Sequence, residues 1–538
     1  MLGEEKMFER VEYPEQLGVS SEAFKELINF FEISGARIDS LMIVRKGKIA
    51  CECHWAPSNA DVPHELFSLS KSITAIAIGL AVDEGYIDLD TKVYPTYFPE
   101  KLAKLEGKQR EWAEKLTIHN VIAMQVGKIT SVLDNKEKTD WIDALLDRPF
   151  KFEPGTDWAY ISENAYLLSW ILHKETGMTM TEFLTPRLYE PLDMKVAQWD
   201  KSRDEIEAGG WGLKLSITDI AKISYMFMNK GMYGDKRILS EDWVNRSITP
   251  HNKKLYPIFS KDSHYGYQTW IDYYNNQTTY RFTGLYGQHS YMLPQYDAVL
   301  VMTARDNRDK ILIDPVFDRI PGLFIEPCKL DDEKVKAFKT LCTSKITTPE
   351  FKDTARRDLA KEMVISGRKI KVVSGANLSV IGAPTFFMWR ERIGKLNDII
   401  FKFNDDSLEF SFIERGCERN TIRAGMNGQY IHNEFTMKED TIICDAQATW
   451  RKDGKLELFL FNTGRSQTRR FVFGFGSKFV TIKAESAPGF KELAIFNLGF
   501  TNGIDVKENG PISKGLDVGI PYFNAFYADP DGLGIFKD

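Results

Sequence analysis

Ser68-Leu69-Ser70-Lys71 places a hydroxyl and an amine three residues apart. On a helix this spacing puts both groups on one face, a single turn from each other. A serine attacks a carbonyl when a base takes its proton, and lysine can be that base when burial favours its neutral form. The residues that follow, Ile73-Thr-Ala-Ile-Ala-Ile-Gly-Leu-Ala-Val82, are apolar nearly all round. Such a helix is buried, and its N-terminus lies in a cleft wall, where it favours negative charge on an attacked group. Roughly two Ser-x-x-Lys matches are expected by chance in a chain this long. The second copy, Ser366-Gly367-Arg368-Lys369, sits in a basic run ahead of a strand, with no amphipathic helix behind it. It reads as ordinary chain.

The surrounding text carries a resemblance. Glu65-Leu-Phe-Ser-Leu-Ser-Lys-Ser-Ile-Thr-Ala75, followed by Asp83-Glu-Gly-Tyr-Ile-Asp-Leu-Asp90, resembles the active-site helix of serine β-lactamases, DD-peptidases and related esterases. Leu116 to Gly127, Pro154-Gly-Thr-Asp-Trp-Ala-Tyr160, Gly210-Trp-Gly-Leu-Lys-Leu-Ser216 with Asp219, and Asp242-Trp-Val244 are similar to later stretches of that superfamily, in the same order. The similarity spans roughly residues 20 to 325 of the printed sequence.

The resemblance implies roles. Tyr160, at the superfamily's Tyr-x-Asn position, would pass a proton between Ser68 and the leaving group. Here the third residue is Ser162, which lacks the fork of an amide. Phe282-Thr283-Gly284 stands where lactamases carry Lys-Thr-Gly, so the Leu285 amide would join the Ser68 amide as an oxyanion hole. Phe282 in place of a cation that receives a substrate carboxylate points to an uncharged or less acidic substrate. Ser162, Phe282, Gly284, Tyr286 and Gln288 are the expected substrate-binding residues, although Gln288 reads equally as a hydrogen-bonded strand end. Trp158, Tyr286 and Tyr267 are candidate pocket walls or plain core aromatics. His119, His264 and His289 read as structural histidines.

Composition is that of an ordinary globular protein. Of 538 residues, 43% are hydrophobic and 27% charged, and the net charge is −6. No basic footprint for nucleic acid is present, basic residues being scattered in short pairs such as Arg469-Arg470. The charged opening MLGEEKMFERVEY shows no secretory h-region, and the longest apolar run is too short to span a bilayer. The six cysteines form no Cys-x-x-Cys pair. A cytoplasmic location and no membrane partner are therefore expected.

The elements that must position these residues follow from periodicity. Ser20 to Ile33 reads as a capped helix, and Leu41–Val44 and Ile49–Trp55 as strands around a turn at Arg45 to Lys48. Ser68 opens a helix that ends at Gly85, and a helix over Ile217 to Asn229 closes at Lys230-Gly231. Thr278–Phe282, His289–Leu293 and Ala298–Thr303 read as strands. The expectation is an α+β domain: an antiparallel sheet flanked by helices, with a helical subdomain inserted between its N- and C-terminal strands. This domain covers residues 1–328, a polar Lys-rich linker 329–348, and a mainly β accessory domain 349–538.

The sequence thus points to a serine hydrolase acting on a small ester or amide, with no cofactor or metal and with the possibility of a homo-oligomer. A DD- or D-amino-acid peptidase or β-lactamase is the nearest alternative. A non-catalytic binding or sensor protein on the same scaffold is the distant one, since it has no need of Ser68, Lys71 and Tyr160 together.

Overall fold

The computed structural model describes residues 7–129, 141–195, 197–252, 263–274, 276–347, 349, 351, 353–375, 378–381, 396–414, 416–437, 440–489 and 531–537. The chain divides into two compact units, residues 1–55 with 59–345, and 56–58 with 346–538.

In the first unit, helix α1 (Ser21–Ile33) starts from Ser20, whose Oγ accepts from the Ala23 amide at 3.2 Å. It leads into the hairpin of β1 (Ile38–Arg45) and β2 (Lys48–His54). Helix α2 (Ser70–Asp83) then begins the helical block, which also holds α3 (Glu163–Thr176) and α4 (Ile217–Met228). The chain returns to the sheet through β3 (Ser263–Tyr265), β4 (Trp270–Tyr274), β5 (Gln277–Gly284), β6 (Gln288–Leu293) and β7 (Ala298–Ala304). The strand order is β2-β1-β7-β6-β5-β4-β3, every neighbouring pair antiparallel. The expected α+β arrangement, a helical block inserted between the N- and C-terminal strands of one sheet, is therefore present.

Strand alternation divides this sheet between two layers. Met42, Val44, Phe282, Met292, Val299 and Val301 join the core shared with α2 and α4, and the Phe282 ring meets Phe227 of α4 at 5.1 Å. On the other face Tyr291 packs against Phe317 of α5 (Asp309–Leu323) at 5.7 Å. Buried on both faces, the sheet is a rigid platform for whatever its edges carry. The apolar α2 is buried at twelve of its fourteen positions, which fixes its N-terminal end, and with it Ser68 and Lys71.

The stretch expected as a linker is different. Asp332–Thr343 forms helix α6, capped by Asp331, whose carboxylate accepts from the Lys334 amide at 2.9 Å. Its Phe338 stands 6.1 Å from Phe24 of α1, so the helix belongs to the first unit. The spacing of Val335, Phe338 and Leu341 gives it an apolar stripe that an extended linker would have exposed.

The second unit is a mainly β structure, as its short strand-like runs imply, antiparallel except where 419–425 meets 440–451 in parallel. Pairing passes from 440–451 through 419–425, 407–414, 396–403, 369–372, 532–537, 479–487 and 467–475 to 456–462, which pairs with 440–451 again. The path closes into a barrel around Phe401, Phe410, Trp450, Phe471 and Phe473. Ser366 caps the end of a short helix, Gly367 turns the chain at φ +79°, and Lys369 begins a strand, its Nζ forming an ion pair with Asp398 Oδ2 at 2.9 Å. The second Ser-x-x-Lys therefore has no helical face. No helix among the described residues is long and apolar enough to cross a membrane.

Candidate active site

Ser68 lies in a 3-10 turn, Phe67–Leu69, that runs directly into α2, rather than in the α-helix itself. The turn keeps the one-turn offset: Lys71 Nζ is 3.0 Å from Ser68 Oγ. Ser68 is half-buried, while Lys71 is 1% exposed. Burial penalises the charged amine and brings Lys71 down to about 7, against a smaller opposing pull from the Glu163 carboxylate. At neutral pH a substantial share of Lys71 is thus the free amine that can accept the Ser68 proton.

The amine is held from a second side. Lys71 Nζ donates to the Gly210 carbonyl at 2.7 Å, Thr74 Oγ1 donates to Gly209 O at 2.7 Å, and the Leu213 amide donates to Ser70 Oγ at 3.3 Å. Three side chains of α2 therefore strap the 209–213 segment along this helix. A Cβ on Gly210 would come within 2.7 Å of Ser162 O and 3.5 Å of Lys71 Nζ, so only glycine admits the chain there. The same contact brings the start of α3, with Ser162 and Glu163, beside the amine.

Tyr160 precedes α3, half-buried, and its ring centroid lies 5.1 Å from Lys71 Nζ. Ser68, Lys71 and Tyr160 are thus one cluster, drawn from two separate parts of the chain. Behind Tyr160 stand Trp270, near-parallel at 6.3 Å, and Tyr265, edge-on at 5.9 Å. Sequence reasoning missed both, since nothing local connects β3 and β4 with Tyr160. Trp158, expected as a wall, is 6.3 Å from Tyr160.

Across the serine, β5 ends against the 3-10 turn. A Cβ on Gly284 would fall 2.0 Å from Leu66 O and 3.1 Å from the Leu69 amide, so glycine is required for this approach. It places the following residue, half-buried Leu285, next to the Ser68 turn.

Three expected substrate contacts have other places. Phe282 is fully buried on the α4 face of the sheet, because alternation turns its side chain into the core. Gln288 is fully buried, and its Nε2 donates to Leu285 O at 3.2 Å and Ala304 O at 2.8 Å. It holds the turn that carries Leu285, the strand-end role weighed for it above. Tyr286 is 1% exposed and lies against Phe67, beneath the site rather than lining it. The histidines also lie apart from the cluster: His119 bonds Tyr267 OH at 2.8 Å, His264 packs on Tyr273, and buried His289 faces Thr283. Tyr267, stacked on His251 at 4.7 Å, belongs with them and not with the pocket.

Comparison with known proteins follows this geometry. The family model described as Beta-lactamase matches residues 32–312, slightly over half of the chain. The 6-aminohexanoate-dimer hydrolase of Paenarthrobacter ureafaciens is 24% identical over 291 residues, covering 49% of this chain and 71% of that protein. Protein flp of Staphylococcus aureus (strain MW2) is 24% identical over 245 residues, 42% of this chain and 48% of its own. The lovastatin esterase of Penicillium rubens is 24% identical over 180 residues, 28% and 43% respectively. The chain thus spans less than half the length of the last two. With the match running from the end of α1 to the start of α5 and enclosing the whole Ser68, Lys71 and Tyr160 cluster, the chain belongs to the beta-lactamase family.

Proposed function

We propose that this protein is a serine hydrolase that cleaves an ester or small amide through an acyl-enzyme on Ser68. The observation that carries the reading is a buried amine, lowered to about 7, at 3.0 Å from a half-exposed hydroxyl. Similarity to a 6-aminohexanoate-dimer hydrolase and to a lovastatin esterase supports the substrate class.

In this mechanism Ser68 Oγ attacks the carbonyl carbon and its proton passes to Lys71 Nζ. The oxyanion that forms accepts from the Ser68 and Leu285 amides, a reading supported by the close approach of Gly284 to the Leu66–Leu69 segment. Collapse breaks the bond to the leaving group, which takes the Tyr160 phenolic proton; Tyr160 is restored from the Lys71 ammonium. Water then attacks the acyl carbon, gives its proton back through the same groups, and frees Ser68.

Turnover of p-nitrophenyl acetate set against a D-Ala-D-Ala peptide, in wild type and Ser68→Ala, tests the reading. Ester hydrolysis that vanishes in Ser68→Ala is expected. Undiminished hydrolysis by Ser68→Ala would overturn the mechanism, and preference for the peptide would overturn the substrate class.

A further inference from the structure

Four aromatic rings pack together around Tyr160, whose ring centroid lies 5.1 Å from Lys71 Nζ. Trp158 and Tyr160 come from the turn ahead of α3, and Tyr265 and Trp270 from β3 and β4. Tyr265 and Trp270, 1% and 3% exposed, form the buried layer and meet each other edge-on at 4.7 Å. Trp158 and Tyr160 form the half-buried layer on top of it. Trp158 lies 5.5 Å from Tyr265, 6.3 Å from Tyr160 and 6.5 Å from Trp270.

Rings packed in this manner have fixed orientations, so the outer two present a preformed apolar surface at low entropic cost. The surface adjoins the phenol that serves the departing group in the mechanism above. What it can recognise follows from its chemistry. Planar apolar groups gain edge or face contacts with it. A cationic group would also be drawn to aromatic faces, but Lys71 Nζ already stands 5.1 Å from the Tyr160 ring and becomes an ammonium in the first step. Two like charges at this range oppose each other. The surface therefore suits a neutral ring.

We propose that Trp158 forms a leaving-group subsite that selects substrates whose departing alcohol or amine is a planar, uncharged aryl group. The inference rests on the Ser68 reading and adds to it the side of the substrate that the aromatic cluster meets. Trp158 acts by contact with the departing group, while Tyr265 and Trp270 act through it.

The test compares kcat/KM for phenyl acetate, 2,2,2-trifluoroethyl acetate and acetylcholine in wild type, Trp158→Ala, Trp158→Phe and Ser68→Ala. The acyl group is the same throughout, so differences arise at the departing group. Aromatic contacts of this kind predict that Trp158→Ala lowers phenyl acetate turnover about 2- to 12-fold more than that of the trifluoroethyl ester. Trp158→Phe, which keeps a ring, retains most of the preference. Equal losses on both esters, or a loss greatest on acetylcholine, overturn the subsite while Ser68→Ala is inactive. Activity that survives in Ser68→Ala overturns the catalytic reading, and this inference with it.

Discussion

The rings of Phe67 and Tyr286 meet edge to face with centroids 5.2 Å apart. Phe67 immediately precedes Ser68, and Tyr286 immediately follows Leu285. Both hold left-handed backbone, φ +47° and +64°, a conformation that aromatic residues rarely adopt. Both are almost fully buried, at 2% and 1% exposure. Backbone strain of this kind persists where packing enforces it. The pair joins the two segments whose amides are proposed to receive the oxyanion.

Removing that packing has a specific consequence. Tyr286→Ala leaves Ser68, Lys71 and Tyr160 in place but frees the turn that carries Leu285. We expect kcat to fall about 10- to 100-fold with KM changed little, since misplacement of about 1 Å costs rates of this order. Steady-state kinetics on p-nitrophenyl acetate check it. A rise in KM at constant kcat would assign the residue to substrate binding instead.

In the proposed mechanism the neutral form of Lys71 is the base, so kcat/KM is expected to rise as pH increases through about 7. Glu163 pulls Lys71 upward, and Glu163→Gln removes that pull. The acidic limb of the profile then moves to lower pH. A limb that stays fixed in the variant would show that another group controls it.

Gly284 leaves no room for a side chain, with a Cβ 2.0 Å from Leu66 O. Gly284→Ala must push β5 away from the nucleophile turn. We expect at least a 100-fold loss of kcat/KM and about 1–3 kcal/mol of destabilisation from overpacking. Urea unfolding together with kinetics separates the two effects.

A second buried lysine supplies a test of stability. Lys128 is 1% exposed, donates to the Leu146 and Arg148 carbonyls, and lies 4.2 Å from the Phe150 ring centroid. Burial brings it down to about 7. Between pH 7 and about 10 the unfolded chain therefore binds more protons at this site than the folded chain, and the site favours folding increasingly as pH rises. Lys128→Met removes this term. Wild-type stability relative to the variant should climb over that interval, measured as urea midpoints; a constant difference would contradict the burial argument.

Much of the site was legible because its signals are local. The Ser68–Lys71 spacing and the apolar run behind it lie within one short stretch, a 3-10 turn that runs into α2, and the one-turn offset survives there. Phe282 was misplaced because position in a motif does not say which face of a strand a side chain takes; alternation sends it to Phe227. Tyr265 and Trp270 were invisible because their role arises from contact with a residue far away in the chain. Helix α6 was missed through its many lysines, although Asp331 offers a cap and Val335, Phe338 and Leu341 repeat at helical spacing. The barrel closure depends on pairing between 440–451 and 456–462 as well as 419–425, which no single segment encodes.

The most direct measurement is covalent labelling with a fluorophosphonate, followed by peptide mapping in wild type and Lys71→Met. A single adduct on Ser68, formed far more slowly in Lys71→Met, is the predicted result. An adduct on another serine, or labelling of Ser68 at an unchanged rate without the Lys71 amine, would contradict the account.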